Sequence, residues 1–227
     1  MKTVAVIPAL NEAVGLAKVL SEIPPGWIDE VIVVDGGSTD ETPEVARCYG
    51  ARVVVQPRRG YGLACATGMA AAPDACAIIF LDADGSDVPA DLPALVEPVR
   101  SSRADLVLGS RLAGSIARGA MPAHQRFGNQ LAGFLIRRLY GVPLTDLSPF
   151  RCVRAGVLRA LDMREMTYGW PTEMIVKAIR HGYRVVEVPV RYRPRAGGRS
   201  KIGGTVRGTL LAAYFILGTT LRHARSS

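Results

Sequence analysis

The chain is short of lysine, histidine and aromatic residues, and each shortage removes a class of function. Lys2, Lys18, Lys177 and Lys201 are the only lysines, so the net charge of +8 rests on arginine, the side chain suited to bidentate phosphate contact. His124, His181 and His223 are dispersed, and none stands in a motif with a serine or cysteine. A nucleophilic triad is therefore not expected. Cys48, Cys65, Cys76 and Cys152 lack C-x-x-C spacing. That argues against a zinc site or disulfide framework and for reduced thiols in a cytosolic protein, with Cys76 as strand core. Recognition-helix, zinc-finger and aromatic RNA-stacking patterns are missing, so nucleic acid is not an expected partner. No apolar run reaches the roughly twenty residues that span a bilayer. Met1-Lys2-Thr3 leads straight into a short strand, so no signal peptide is expected.

What is present is a chain of 227 residues, 48% hydrophobic, enough to bury one sizeable core. Strand and helix patterns alternate, which predicts an α/β fold with a mainly parallel sheet. Val4-Ala5-Val6-Ile7 reads as the first strand, ended by Pro8, with Asn11 capping a helix that runs to about Glu22. Val31-Ile32-Val33-Val34 and Val53-Val54-Val55 are the next two strands, with a helix capped by Thr39 or Asp40 between them. A glycine-led helix over 60–72 precedes the unbroken apolar run at 75–81, which reads as a strand covered on both faces. A helix over 90–101 and a strand over 105–108 follow. After Gly109-Ser110-Arg111 the alternation fails. A loop leads to a long amphipathic helix over 124–140, with Arg137 and Arg138 on its wet side. Residues 145–153 read as irregular or a short strand, 154–161 and 171–181 as helices, and 185–188 as a late strand. The span from Arg180 to Arg207 holds eight basic residues against Glu187 alone, a surface suited to phosphates or an anionic membrane. The apolar run at 210–217, flanked by arginines, is expected to form an amphipathic helix in the membrane interface, on the core or at a homodimer contact.

The chemistry concentrates at strand ends. Asp82-Ala83-Asp84 ends the fourth strand, and open α/β sheets bind ligands there. Two adjacent acids repel each other, and a hard divalent cation carrying phosphate oxygens relieves that repulsion. Pro8-Ala9-Leu10-Asn11-Glu12, Asp35-Gly36-Gly37-Ser38-Thr39-Asp40, Gly60-Tyr61-Gly62 and Gly109-Ser110-Arg111 end the other strands. Five polar groups on one rim describe one cleft.

On these motifs, with Asp146, Pro149-Phe150-Arg151 and Arg199-Ser200-Lys201, the chain resembles the family-two inverting glycosyltransferases of GT-A fold, and within them the dolichyl- and polyprenyl-phosphate hexose synthases. The resemblance implies a GT-A (Rossmann-like) three-layer domain over 1–200, with a nucleotide-sugar half at 1–111, an acceptor half at 112–200 and a tail helix at 201–227. It implies that Pro8, Leu10, Glu12, Asp35 and Gly60 cradle the nucleotide of a UDP- or GDP-linked sugar. Asp82 and Asp84 would hold Mg²⁺ or Mn²⁺ on its diphosphate. Arg111, Arg126, Arg199 and Lys201 would hold the phosphate of a polyprenyl acceptor. The family often carries glutamine two positions after the second aspartate; Ser86 stands here, followed by Asp87. Glu173 is the residue available as a base for a hydroxyl acceptor, with Asp146 second, although a first-turn acid also suits the dipole of its own helix. The expected location is cytoplasmic, with peripheral contact at the inner face of the cell membrane. The rival expectations are a transferase for a small hydroxyl acceptor and a non-catalytic membrane scaffold.

Overall fold

A computed structural model describes residues 1–56 and 58–197, and Gly218 beyond them. Arg199, Lys201 and the tail helix expected at 201–227 lie outside the described residues. The strands are β1 (Thr3–Ala9), β2 (Glu30–Asp35), β3 (Arg52–Val55), β4 (Ala77–Phe80), β5 (Leu106–Ile116), β6 (Arg151–Arg154) and β7 (Val185–Tyr192). The helices are α1 (Ala13–Ser21), α2 (Thr42–Cys48), α3 (Tyr61–Ala70), α4 (Leu92–Arg100), α5 (Ala123–Tyr140), α6 (Ala155–Ala160) and α7 (Trp170–Arg180).

The seven strands form one sheet in the order β3-β2-β1-β4-β6-β5-β7. β6 runs antiparallel to both β4 and β5, and every other pairing is parallel. It follows that β1, β2, β3, β4, β5 and β7 all point their carboxyl ends at one rim. Both faces are covered, as unbroken apolar strands require. Val4, Val6, Ile32, Ile78, Phe80 and Leu106 pack with Trp170 and Met174 of α7 and Ile136 of α5. Ala5, Ile7, Val33, Ile79 and Val107 pack with Leu16 of α1 and Leu95 of α4. Truncating one of these, Ile79→Ala for example, costs about 2–5 kcal/mol.

Several local expectations change. β1 runs through Pro8 to Ala9, and Pro8 pairs with Val34 of β2. Val6 accepts a bond from Leu81, whereas Ala9 accepts one from Gly36. Even-numbered residues of β1 therefore face β4, and the missing N–H of Pro8 falls beyond the last β1–β4 pair, Val6 with Phe80. Asn11 does not cap α1: it sits at φ 51°, and the helix begins at Ala13. Cys76 is exposed because β4 starts one residue later, at Ala77. β5 continues past Arg111 to Ile116, with a register shift between Ser110 and Ser115.

Candidate active site

The first part of the rim is a clamp between two loops. Asn11 N–H donates to Ser38 Oγ at 2.9 Å, and Thr39 N–H returns a bond to Asn11 Oδ1 at 2.8 Å. Ala13 N–H, at the start of α1, donates to Asp40 Oδ2 at 3.3 Å, and Glu12 N–H donates to Thr42 Oγ1 at 2.9 Å. Asp40 thus caps a helix from another part of the chain, satisfying a first-turn donor. Asp35 is buried and accepts the N–H groups of Gly37 and Ser38, each at 3.1 Å. Pro8, Leu10, Glu12 and Asp35 are therefore brought together at the ends of β1 and β2.

The second part is the acidic turn after β4. α1 lies hard against it: a Cβ on Gly15 would stand 2.5 Å from Ala83 O and 2.8 Å from Asp84 Cα. Glycine is required there by close approach. Asp84 Oδ1 accepts Ser86 N–H at 2.8 Å and Ser86 Oγ–H at 2.6 Å. Asp84 Oδ2 pairs with Arg195 Nη1 at 2.7 Å, and Arg195 Nη2 pairs with Glu12 Oε1 at 2.6 Å. One guanidinium thus bridges the β1 loop and the β4 turn. The chain after β7 is laid across this turn by Ala196 N–H to Asp84 O at 3.0 Å and Arg193 Nε to Gly85 O at 2.7 Å. Arg193 also grips Glu22 through two bonds, at 3.0 and 2.7 Å.

Asp82 is half-buried. Its carboxyl is pushed up to about 7, by burial first and the Asp84 charge second, with Arg111 and a hydrogen bond from Tyr61 opposing. Asp87 is fully buried, and among the described residues neither of its carboxylate oxygens has a hydrogen-bond partner. Burial, then Asp82, drives its carboxyl well above the usual range. With Asp82, Asp84 and Asp87 crowded together this corner is rich in hard oxygen donors, so its residues fit Mg²⁺ or Mn²⁺. No three His, Cys, Asp or Glu side chains among the described residues are spaced to enclose a cation. Two carboxylates with phosphate oxygens and water completing the shell is a usual arrangement for Mg²⁺.

The remaining expected site residues divide. Arg111 is only 5% exposed. It forms a fork with Asp146, Nε to Oδ2 at 2.7 Å and Nη2 to Oδ1 at 2.8 Å, and its own N–H adds a third bond at 3.0 Å. Burial alone works against the Arg111 charge, and Asp146 more than restores it. Glu187 fixes the Asp146 loop by accepting the N–H groups of Thr145 and Asp146, both at 2.9 Å. The Arg111 guanidinium also lies 5.0 Å from the ring centroid of Tyr192. Arg126 stands exposed on α5.

Gly60 and Gly62 face protein backbone: Cβ atoms on them would meet Met166 O at 2.7 Å and Glu165 O at 2.5 Å. Gly62 N–H donates to Thr167 O at 3.2 Å and Leu63 N–H to Met166 O at 3.0 Å. That 165–167 segment is itself held by Glu173. Buried in the first turn of α7, Glu173 accepts Arg164 N–H at 3.0 Å and Glu165 N–H at 2.7 Å, and pairs with Lys177 at 2.8 Å. Glu173 thus supports the start of α3, and with it Tyr61 beside Asp82. The sequence reading missed Arg195 as an individual residue, although it lies inside the basic run after β7. It also passed over the Arg111–Asp146 fork, which joins residues 35 positions apart.

A cleft at the carboxyl rim of a mixed, mostly parallel sheet, with paired acids after the fourth strand, is the architecture of a GT-A glycosyltransferase. The profile of "Glycosyl transferase family 2" matches residues 4–161, and the chain belongs to that family. It is 41% identical over 207 residues to an uncharacterized glycosyltransferase of Mycobacterium tuberculosis, covering 91% of this chain and 92% of that one. The undecaprenyl-phosphate mannosyltransferase of Micrococcus luteus is 32% identical over 221 residues, with 92% and 90% covered. The dolichyl-phosphate hexose transferase of Haloferax volcanii is 34% identical over 197 residues, with 85% and 83% covered. Among solved structures, glucosyl-3-phosphoglycerate synthase of M. tuberculosis, in complex with Mn²⁺, UDP-glucose and phosphoglyceric acid, matches at a TM-score of 0.77 and 26% identity. That match covers 98% of this chain and 79% of the other. Among the described residues no helix is long and apolar enough to cross a membrane.

Proposed function

We propose that this glycosyltransferase moves a hexose, with inversion, from a nucleoside diphosphate sugar to a polyprenyl phosphate, assisted by Mg²⁺ or Mn²⁺. The observation that carries the reading is the crowding of Asp82 against Asp84 at the carboxyl end of β4. Asp82, its carboxyl raised by burial and by the neighbouring Asp84 charge, invites a cation that the substrate can share. Pro8, Leu10, Glu12 and Asp35 line the neighbouring strand ends and receive the base and ribose, Asp35 and Glu12 as acceptors for their O–H and N–H groups. Gly60 acts one step back, by letting the 165–167 backbone fix the start of α3. Asp82 and Asp84 would hold the cation, which would neutralise charge on the departing diphosphate. Arg195, now paired with Asp84, would compete with it for that carboxylate.

The transfer balances without a proton. A phosphate oxygen of the acceptor bonds to the anomeric carbon from the face opposite the donor, and the bond from that carbon to the diphosphate oxygen breaks. The nucleophile is already an anion, so alignment and charge neutralisation suffice. This agrees with Glu173 being occupied by backbone N–H groups and Lys177. Arg111, neutralised by Asp146, becomes a positioning residue. Direct hold on the acceptor phosphate falls to Arg126, exposed on α5, and to Arg199 and Lys201, which lie outside the described residues. The names of the M. luteus and H. volcanii relatives support a polyprenyl phosphate acceptor.

The second reading, a small hydroxyl acceptor, is favoured by the likeness to a synthase solved with phosphoglyceric acid. Purified protein given labelled UDP- and GDP-hexoses with Mn²⁺ separates the two. Label is expected in polyprenyl phosphate; transfer to phosphoglycerate with none to the lipid phosphate overturns the proposal.

A further inference from the structure

The outer face of α5 carries an apolar stripe that the cleft does not use. Phe127, Leu131 and Phe134 are 67%, 39% and 62% exposed. They recur at spacings of four and three, so they form one stripe along the helix. The opposite side, Ala132, Gly133 and Ile136, is buried. Arg126, Arg137 and Arg138 flank or end the stripe and are exposed. The surrounding chain is one-sided in charge: between Asp105 and Asp146 there is no acidic residue. Bulky apolar groups rimmed by arginine on a helix too polar to insert define an interfacial helix.

We infer that α5 seats the protein on an anionic bilayer, with Phe127, Leu131 and Phe134 entering the headgroup boundary and Arg126, Arg137 and Arg138 on lipid phosphates. Charge decides among the occupants of this face. A second copy meeting it about a two-fold axis would set these arginines against themselves. The chain's own segment at 202–227 also lacks any acid while carrying Arg207, Arg222 and Arg225. Only an anionic surface is complementary. The inner side of α5 closes on the loop before Asp146: a Cβ on Gly133 would stand 2.9 Å from Leu144 O. Docking α5 therefore sets the Arg111–Asp146 side of the cleft next to the lipid plane. The inference does not depend on the acceptor assignment, because vesicle binding needs neither donor nor acceptor.

The test is co-sedimentation of the full chain with phosphatidylcholine vesicles, with and without phosphatidylglycerol. Melting temperature and solution mass are followed in parallel. Wild type is expected to bind the anionic vesicles and to release with salt. Phe127→Ser with Phe134→Ser is expected to weaken binding by at least about tenfold. The triple change R126Q, R137Q and R138Q is expected to weaken it by roughly a hundredfold, at about fivefold per charge. Melting temperatures should stay near wild type, since these side chains are exposed. Failure of wild type to bind overturns the inference, as does undiminished binding by both variants. So does a dimer that the Phe127/Phe134 variant splits, or a lower melting temperature in that variant with binding intact, because either result means protein covers the face.

Discussion

Arg195 offers the sharpest test of the acidic corner, because it already occupies one carboxylate that the cation would need. Its guanidinium makes two charge-assisted bonds, to Asp84 at 2.7 Å and Glu12 at 2.6 Å, with its side chain 26% exposed. Such bonds contribute about 1.5–3 kcal/mol each when shielded, and solvent screening at this exposure reduces the pair to about 2 kcal/mol in total. Arg195→Met keeps the stem and removes the charge, so that Glu12 and Asp84 lose the guanidinium that bridges them. The expected loss is about 2 kcal/mol, or about 4–8 °C in melting temperature for a chain of this size. The same change should strengthen binding of Mn²⁺ alone. In wild type the cation must displace Arg195, so removing that competitor raises affinity by up to roughly thirtyfold, the factor equivalent to 2 kcal/mol. Thermal denaturation across a Mn²⁺ titration, without nucleotide, reads both effects. The variant should start below wild type and gain more from the metal, so that the two curves converge. Equal gains in wild type and variant would mean that Arg195 and the cation do not compete, and the metal assignment of Asp84 would fail.

Asp82→Ala and Asp84→Ala should each abolish metal-dependent transfer while leaving the fold intact; near wild-type turnover in either would remove the pair from the mechanism. Gly15→Ala should cost about 1–3 kcal/mol, because its Cβ meets backbone that cannot swing aside. Its activity should fall by about a hundredfold, the effect of moving a positioned group by about 1 Å, and an active variant with wild-type kcat would show that the turn tolerates displacement. Asp105 ties β5 to β7 by accepting Arg184 N–H at 2.9 Å and Nε at 3.1 Å, and Arg184 holds its carboxyl below the ordinary carboxylate range. Its stabilisation, about 1 kcal/mol after allowance for the exposed Arg184, is present above the unfolded value near 3.8 and lost as pH falls through the lower folded value. Urea denaturation of wild type and Asp105→Asn should therefore differ at pH 7 and converge in acid; a constant gap would refute the linkage.

The parts of this molecule that sequence reading recovered are those whose signal is local. β1, β2 and β4 declare themselves by unbroken apolar runs, and each ends where a polar group replaces them, at Asn11, Asp35 and Asp82. The topology then had little freedom, because parallel strands joined by helices share one carboxyl rim. The second half was less legible for a physical reason. β6 is only four residues long and carries charged Arg151 into the centre of the sheet. That arginine is acceptable there because its guanidinium donates to the carbonyls of Ser148 and Pro171. No window of sequence around Arg151 reveals those partners.

The same distinction separates the acids by role. Asp82, Asp84 and Glu173 are all carboxylates near the start of a helix or the end of a strand, and composition treats them alike. What divides them is their surroundings: Asp84 also has three donors, two from Ser86 and one from Arg195, but it stands against Asp82. Glu173 is satisfied by two backbone N–H groups and Lys177, so its charge is spent on holding the 164–165 segment. Arg111 is likewise satisfied by Asp146. Asp87 has no hydrogen-bond partner among the described residues, and burial together with neighbouring acids raises the carboxyls of both Asp82 and Asp87. A buried group without a partner is expensive unless something absent from the chain completes it. Satisfaction is a property of the folded neighbourhood: the Arg195 that tempers Asp84 arrives from 111 residues away. The strand-end motif could therefore mark where the chemistry sits, while the division of labour among its acids and arginines follows only from the partners and the crowding that the fold supplies.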